Sequence, residues 1–520
     1  MTAAMGENIG SNIVKAAGIV LLMNILSRFL GFVRDATIAR EFGATGATDA
    51  YLVAYTLPYA LQAVLGMAFI SVIVPIITGY LVKDEKLEVF NVTAIIFNWT
   101  VLILSVITVV GIIMAPWLIK LLAPGFTGET YNLTVVLTRI IFPSIIFMGA
   151  GMLLTGVLNA NGVFGVPAFA PALANMVVIF VVLVFAGQFQ VYGLAVGTVL
   201  AFICFFALQL PFMRKLGYRW QWKWDRHHPA VKRAGATLFP VTLSIAINQI
   251  YLAINRIFAS GLEPGSITAL DFAYRLMALP LGIFVAAIAT AIFPAFSRYV
   301  ARSDGAGLAK SLGTGLALVS LIALPSAIGL MVIREPLIQA VFERGAFDAY
   351  ATKRTAIALW YFSIGLWAVG ANTIVTRAYY AMDNIRIPLG LGLLCALINV
   401  LLSFVLMPVL SHGGLALANS LSAITNIILL LVVLKVYLPE MDMRKMLGAF
   451  GKALTASILM GVAVSVLLGY LKVWMGTGFV ALVLQIILPA VIGALIYLLL
   501  LKIFRVKELV LVKDMVFKKK

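Results

Sequence analysis

Arg28 lies inside an apolar run that begins near Val14. Arg34 and Asp35 close that run, and Asp49 opens the next. Much further along, Asp271 and Arg275 stand four residues apart in another apolar stretch. A charge at the centre of a membrane helix costs roughly 2.5–3.5 kcal/mol, so such residues face a polar cavity or a partner, not lipid. Arginine carries a planar fork that makes paired, charge-assisted bonds to phosphate-type anions, and it stays charged when desolvated. Few intramembrane carboxylates neutralise the set, so a cavity lined by it should be net positive. That favours an anionic substrate. It argues against a cation exporter, whose cavity would need acids.

Other polar residues fall on helical faces. Asn24, Arg28, Gly31 and Asp35 are spaced by four, three and four residues, which makes one stripe. Tyr55, Tyr59 and Gln62 share a face in the second run. Asn248, Tyr251 and Asn255, with Arg256 adjacent, lie in the seventh, and Asn248 and Asn255 with Asn372 and Arg377 are the candidate ion or polar-cavity residues. Asn372, Arg377, Tyr379 and Tyr380 close the tenth, and Arg139 lies in the fourth. Structural alternatives stand beside each functional reading. Arg28 or Arg34 could pair with Asp49 or Asp35 to fix the first hairpin, and Arg275 could pair with Asp271. Arg139, Arg256 and Arg377 could snorkel to an interface. The tyrosines could be packing instead of a sugar platform.

The elements that must hold these residues are membrane helices. The chain has 520 residues, 63% hydrophobic and 11% charged, with a mean hydropathy of +1.08. Soluble proteins average about 25% charged residues. A bilayer core needs about 20 apolar residues per helix. Fourteen candidates follow, near 13–34, 50–80, 91–119, 131–158, 164–187, 191–213, 235–260, 267–297, 308–333, 351–381, 387–410, 414–437, 448–471 and 478–503. Kinks or strong tilt are expected at Pro58 and Gly66, Pro280 and Gly282, and Gly365 and Gly370, where spans exceed a straight crossing. The first run lacks a cleavage site and reads as a retained helix. Cys204 and Cys395 lie in apolar spans, and His227, His228 and His412 are scattered, so no disulfide, metal site or catalytic cluster follows.

The net charge of +18 sits largely in alternate loops. Arg214, Lys215, Arg219, Lys223, Arg226, Lys232 and Arg233 follow span six; Arg298 and Arg302 follow span eight; Arg444 and Lys445 follow span twelve. By the positive-inside rule both termini are cytoplasmic, and nucleic acid is not the expected partner. Helical rise then puts Arg28 about 20 Å above the cytoplasmic start of helix 1, and Arg275 about 12 Å below the outer start of helix 8. The amphipathic tail KELVLVKDMVFKKK suits the anionic inner leaflet.

An internal repeat runs through the chain. Pro75-x4-Tyr80 recurs as Pro294-x4-Tyr299, and PWLIKLLAPGF from Pro116 resembles PLIQAVFERGAF from Pro336. Pro167 matches Pro388, and Gly193-Leu194-Ala195 matches Gly414-Leu415-Ala416, all at one offset near 220 residues. Six spans per repeat give both halves the same orientation, with substrate handled between them. The expected domains are residues 1–220 and 221–440, one six-helix lobe each, and 441–520, two extra helices with a basic tail.

The stretch SRFLGFVRDATIAREFGATGATDA from Ser27 resembles the first hairpin of the MurJ/MviN lipid II flippases, within the multidrug/oligosaccharidyl-lipid/polysaccharide exporter superfamily. AYRLMALPLGIFVAAIATAIFPAFSR, APGF at Ala123–Phe126 and VPAFAPALAN at Val166–Asn175 also resemble family segments. The resemblance implies an all-α polytopic flippase with a V-shaped central cavity. It implies that Arg28, Arg34 and Arg275 engage a pyrophosphate, and that Asp49 serves gating or coupling. Asp35 and Asp271 join Asp49 as gating candidates. Asn24, Gln62 and Arg256 join the arginines as substrate-binding candidates. The family pattern is lost at two places: Gln62 stands where a base is expected, and Ala278 where an acid is expected. Some relatives bind sodium through an acid, but helix 7 here offers only Asn248 and Asn255.

These readings converge on an alternating-access flippase for lipid II, in the bacterial cytoplasmic membrane. No nucleotide-binding loop of the G-x4-G-K-[ST] type is present, so no cofactor is expected and drive would come from membrane potential or a Na+/H+ gradient. The expected partners are lipid II or a related polyprenyl-pyrophosphate glycan, membrane lipids and cell-wall synthesis machinery, with the protein acting as a monomer. A flippase for another undecaprenyl-linked oligosaccharide, a cation-coupled drug exporter and a non-transporting scaffold remain as alternatives.

Overall fold

Gly43 ends the first helix. Its φ is +64°, its N–H donates to the Ala39 carbonyl at 2.8 Å, and a Cβ there would lie 2.3 Å from the Ala346 carbonyl oxygen. The computed structural model describes residues 2–236, 253–476 and 478–506. In it α1 spans Thr2–Phe42. The apolar run was expected to close at Arg34 and Asp35. The helix instead continues two turns further, because Ala36–Phe42 contains no residue that breaks a helix before the glycine.

Three more long helices follow in the same compact unit, which takes in Met1–Gly265 and Gly345–Phe347. Helix α2 (Gly46–Val82) starts on Thr45, whose side chain accepts from the Thr48 N–H. Helix α3 is Lys86–Leu122. The fourth crossing is divided at Pro143 into α4 (Gly128–Ile141) and α5 (Ser144–Ala160). Helix α6 (Gly165–Ala207) is broken at Gln190, where φ is 49° and ψ −142°, so it supplies two of the expected spans. The short α7 (Leu210–Lys215) ends the run, and residues 229–236 and 253–259 are also helical. Helix α1 packs along α6, and α2 packs along α5. The core between α2, α3 and α5 is aliphatic and aromatic: Phe69, Ile73 and Ile77 meet Val92, Ile96, Leu153 and Val157.

The second unit holds Ser266–Arg344 and Asp348–Lys520. Its first span is α8 (Ser266–Pro280), a π-helical turn at Leu281–Val285, and α9 (Ala286–Ala301). The π turn falls where Pro280 and Gly282 were expected to kink the helix; proline lacks the N–H that would continue the ladder. Helix α10 is Gly305–Val341. Helices α11 (Ala349–Ile364) and α12 (Leu366–Ala381) form one span bent by 43° at Gly365. There the backbone closes on Ser420, and a Cβ would sit 2.7 Å from its Cα. Helices α13 (Arg386–Leu410), α14 (His412–Tyr437), α15 (Met443–Met475) and α16 (Phe479–Ile503) complete the chain. The last two pack on α10 through Leu321, Leu324, Ala456, Met460, Val464 and Tyr497.

Ten helices among the described residues are long and apolar enough to cross a bilayer, or eleven when the bent pair counts as one. The expected seventh span, 235–260, falls largely outside the described residues, as does the tail after Val506. Helices keep every backbone group bonded within the segment, which is what a lipid environment requires. The protein is a multi-pass, all-helical membrane protein.

Candidate functional site

Arg28 is exposed on α1 and makes no hydrogen bond or ion pair among the described residues. Asn24, one turn before it, is exposed as well. The stripe then descends into the unit: Gly31 is half-buried and Asp35 is buried. Arg34 is held on two sides. Its Nε and Nη2 donate to Asp35 Oδ1 at 3.1 and 2.9 Å, and its Nη1 donates to Asn175 Oδ1 at 3.0 Å. Asn175, on α6, in turn donates from Nδ2 to the Ser27 carbonyl at 3.1 Å. Gly31 lies beside this amide, where a Cβ would meet Nδ2 at 3.5 Å, an ordinary contact distance. The two arginines therefore differ in chemistry. Arg28 leaves its guanidinium exposed, while Arg34 is held by Asp35 and Asn175.

Asp49 sits in the first turn of α2 at 2% exposure. Its Oδ2 accepts the Gly265 backbone N–H at 2.6 Å. Further along α2, Tyr51 and Tyr55 stack with centroids 6.0 Å apart, and Tyr59 follows at 6.0 Å. Tyr51 shares a hydrogen bond with Thr198 at 2.9 Å and is core. Tyr55 donates to Gln62 Oε1 at 3.4 Å, and Tyr59 is exposed. Only the exposed end of this ladder could meet a sugar. Asn255 and Arg256 are half-buried and both engaged with other residues. Asn248 and Tyr251 lie outside the described residues. Arg139 donates to the Ile112 carbonyl at 3.3 Å. A separate cavity of about 810 Å³ is lined by Glu41, Glu129, Asn132, Gln190 and Tyr192, and includes none of the predicted residues.

In the second unit Arg275 and Asp271 form the expected ion pair, Nε to Oδ2 at 2.7 Å. Both remain partly open to solvent. The remaining candidates fasten helices together. Arg377 Nη1 donates to the Ala289 carbonyl at 2.8 Å, with its guanidinium 5.9 Å over Phe293. Asn372 donates to the Ala423 carbonyl at 3.2 Å. Tyr379 is fully buried and donates to the Leu430 carbonyl at 2.9 Å, while Tyr380 is exposed. Among the described residues no group of three His, Cys, Asp or Glu side chains is placed to hold a metal.

A family model described as lipid II flippase MurJ matches residues 38–489. The chain belongs to the lipid II flippase MurJ family. The lipid II flippase MurJ of Burkholderia cenocepacia is 31% identical over 465 residues, covering 86% of this chain and 90% of the relative. The probable lipid II flippase MurJ of Buchnera aphidicola subsp. Acyrthosiphon pisum is 28% identical, covering 96% and 98%. A solved lipid II flippase MurJ in an inward-closed conformation superposes with a TM-score of 0.78 at 25% identity, covering 93% of this chain and 98% of that one. An inward-facing multidrug MATE transporter of the MOP superfamily aligns with a TM-score of 0.66 at 15% identity, which speaks to fold alone.

The MurJ match takes in Asp49, Gln62 and Arg275 and begins just after Arg34. In this MurJ-family chain Asp271 is the acid paired with Arg275 on α8. Two residues were missed from sequence. Asn175 was visible as a lone amide in an apolar helix. Gly265 carried no signal beyond its place in a turn.

Proposed function

We propose that this protein moves the undecaprenyl-pyrophosphate-linked peptidoglycan precursor, lipid II, from the inner to the outer leaflet of the bacterial cytoplasmic membrane, with both termini cytoplasmic. The observation that carries the reading is the exposed Arg28 on α1 of a MurJ-family chain, with no hydrogen-bonded or ion-paired partner among the described residues. Desolvating such a charge is unfavourable unless an anion meets it, and a pyrophosphate offers the oxygens that a guanidinium fork fits. Arg275 supplies a second cation, and Arg34 a third whose direction is set by Asp35 and Asn175.

The proposed cycle is alternating access, built on six-helix repeats at 1–220 and 221–440 with 441–520 appended. The head group is drawn to the arginines while the polyprenyl tail stays in lipid. Membrane potential or an ion gradient supplies drive, at about 2.3 kcal/mol per elementary charge per 100 mV. The protein acts as a monomer alongside the cell-wall synthesis machinery. Gln62 and Ala278 favour a second reading, a flippase for another undecaprenyl-linked oligosaccharide, because both alter the polar lining.

The test is lipid II translocation in cells depleted of their own flippase, with wild type, Arg28→Ala and Arg275→Ala at matched expression. Rescue by wild type alone supports both substrate and arginine mechanism. Rescue by all three keeps the substrate and removes the mechanism. Failure of folded wild type points to a different lipid-linked glycan.

A further inference from the structure

The segment YRWQWKWDRHH at Tyr218–His228 lies outside the site described above, yet it is tightly built. Gly217, at φ +87°, turns the chain beside Phe90. The Tyr218 hydroxyl donates to the Phe90 carbonyl at 2.9 Å, and burial pushes that phenol well above its usual range. Asn98, buried on α3, donates to the carbonyls of Gln221 and Lys223, both at 3.0 Å. His228 returns to Glu88 in the first turn of α3 at 2.7 Å. The segment is thus a strap that climbs α3 from Phe90 to Trp99 and comes back, a rise of about 14 Å.

Its rings form a connected shelf. Phe97 meets Trp220 at 4.6 Å, Trp220 meets Trp222 at 5.9 Å, Trp222 meets Trp224 at 6.4 Å, and Trp224 meets Trp99 at 5.5 Å. Despite this packing Trp220, Trp222 and Trp224 remain 52%, 75% and 46% exposed. Arg219, Lys223 and Arg226 alternate with them or follow, all exposed. Asp225, itself exposed, accepts the His227 N–H at 2.8 Å. Within a turn of Trp99, α3 begins a stripe of exposed apolar residues, Leu102, Ile103 and Val106, of the kind that faces lipid. Toward the other end lies the charged first turn with Lys86 and Glu88. The shelf therefore sits where the apolar wall of α3 gives way to charge.

Indoles favour that depth, with ring in the acyl boundary and N–H among head groups. Bases beside them are drawn to anionic lipid. We propose that the Trp220–Trp222–Trp224 shelf, with Arg219, Lys223 and Arg226, is a binding site for anionic phospholipid head groups at the membrane interface. It holds a resident lipid and is separate from the transported one. Nucleic acid would need the bases without the adjoining lipid-facing wall.

Native mass spectrometry from nanodiscs of equal phosphatidylcholine and phosphatidylglycerol tests this without reference to flippase activity. Wild type should retain phosphatidylglycerol in excess. Arg219→Gln/Lys223→Gln/Arg226→Gln should lower the enrichment about fivefold or more, given the pull of each base near an anionic surface. Arg298→Gln/Arg302→Gln, exposed bases without an aromatic shelf, should leave it unchanged. An unchanged strap variant, or an equal fall in the control, overturns the proposal. So does salt-sensitive binding of an RNA oligonucleotide with no lipid preference. A second measurement needs only a mild variant: Trp222→Phe should remove a distinct part of the fluorescence quenching by brominated phosphatidylglycerol. Unchanged quenching sinks the site.

Discussion

Asp49 Oδ2 and the Gly265 N–H are 2.6 Å apart although 216 residues separate them in the chain. The carboxyl is buried, and the N–H is aimed by a backbone at φ +85°. Hydrogen bonds to charged groups contribute about 1.5–3 kcal/mol, and a buried donor left without its acceptor costs a similar amount. Asp49→Ala should therefore lower stability by about that much and reduce translocation at least tenfold. Asp49→Asn keeps an acceptor oxygen and should fall between Ala and wild type in thermal unfolding. Equal stability of all three proteins would contradict a structural role for this bond.

Arg28 and Arg34 should separate in a paired assay of folding and transport. Arg28→Ala removes an exposed side chain with no hydrogen-bonded or ion-paired partner among the described residues, so stability should shift by no more than about 0.5 kcal/mol while translocation is lost. Arg34→Ala strips Asp35, whose side chain is 7% exposed, of its nearest cation. Breaking such a pair is strongly destabilising when buried and weakly so when solvated. With Arg34 about a quarter exposed, about 1–2 kcal/mol is expected. Thermal unfolding beside a translocation assay reads both.

Much of the helical frame was legible in the sequence, because span length and apolar runs are local properties. Pro280 and Gly365 marked real departures from straight helix, and Gln190 falls in the gap expected between two spans. The Arg34–Asp35 and Arg275–Asp271 pairs were within reach, being one and four residues apart. Asp49–Gly265 was not, since nothing local in either segment names the other. The extension of α1 to Phe42 was missed for a different reason. Arg34 and Asp35 end the apolar run but not the helix, which continues to Phe42, and from the sequence alone the two boundaries read as one.

Backbone at the helix ends makes a third prediction. A Cβ at Gly265 would lie 2.0 Å from the Ala44 carbonyl oxygen, and at Gly345 2.3 Å from the Arg40 carbonyl oxygen. Both residues also have positive φ. Conformational cost alone is about 1–2 kcal/mol for an L residue there, and a backbone clash adds to it. Gly265→Ala and Gly345→Ala should each destabilise by more than that. Gly128→Ala, also at positive φ but with open space around it, should cost only the conformational part. Comparing the three in thermal unfolding isolates the clash.

Asn175 offers the sharpest separation of positioning from fastening. Its Oδ1 accepts from Arg34, and its Nδ2 donates to the Ser27 carbonyl. Asn175→Leu deletes both bonds and should lower both stability, by about 1–2 kcal/mol, and translocation. Asn175→Asp keeps the acceptor and strengthens its bond to the guanidinium, but places a carboxylate oxygen against the Ser27 carbonyl. That variant should be destabilised yet retain Arg34 in place. If orientation of Arg34 is what transport needs, Asn175→Asp will translocate better than Asn175→Leu at equal stability. If the α1–α6 fastening is what matters, the two will fail together, and Arg34 would then owe its role to packing instead of substrate.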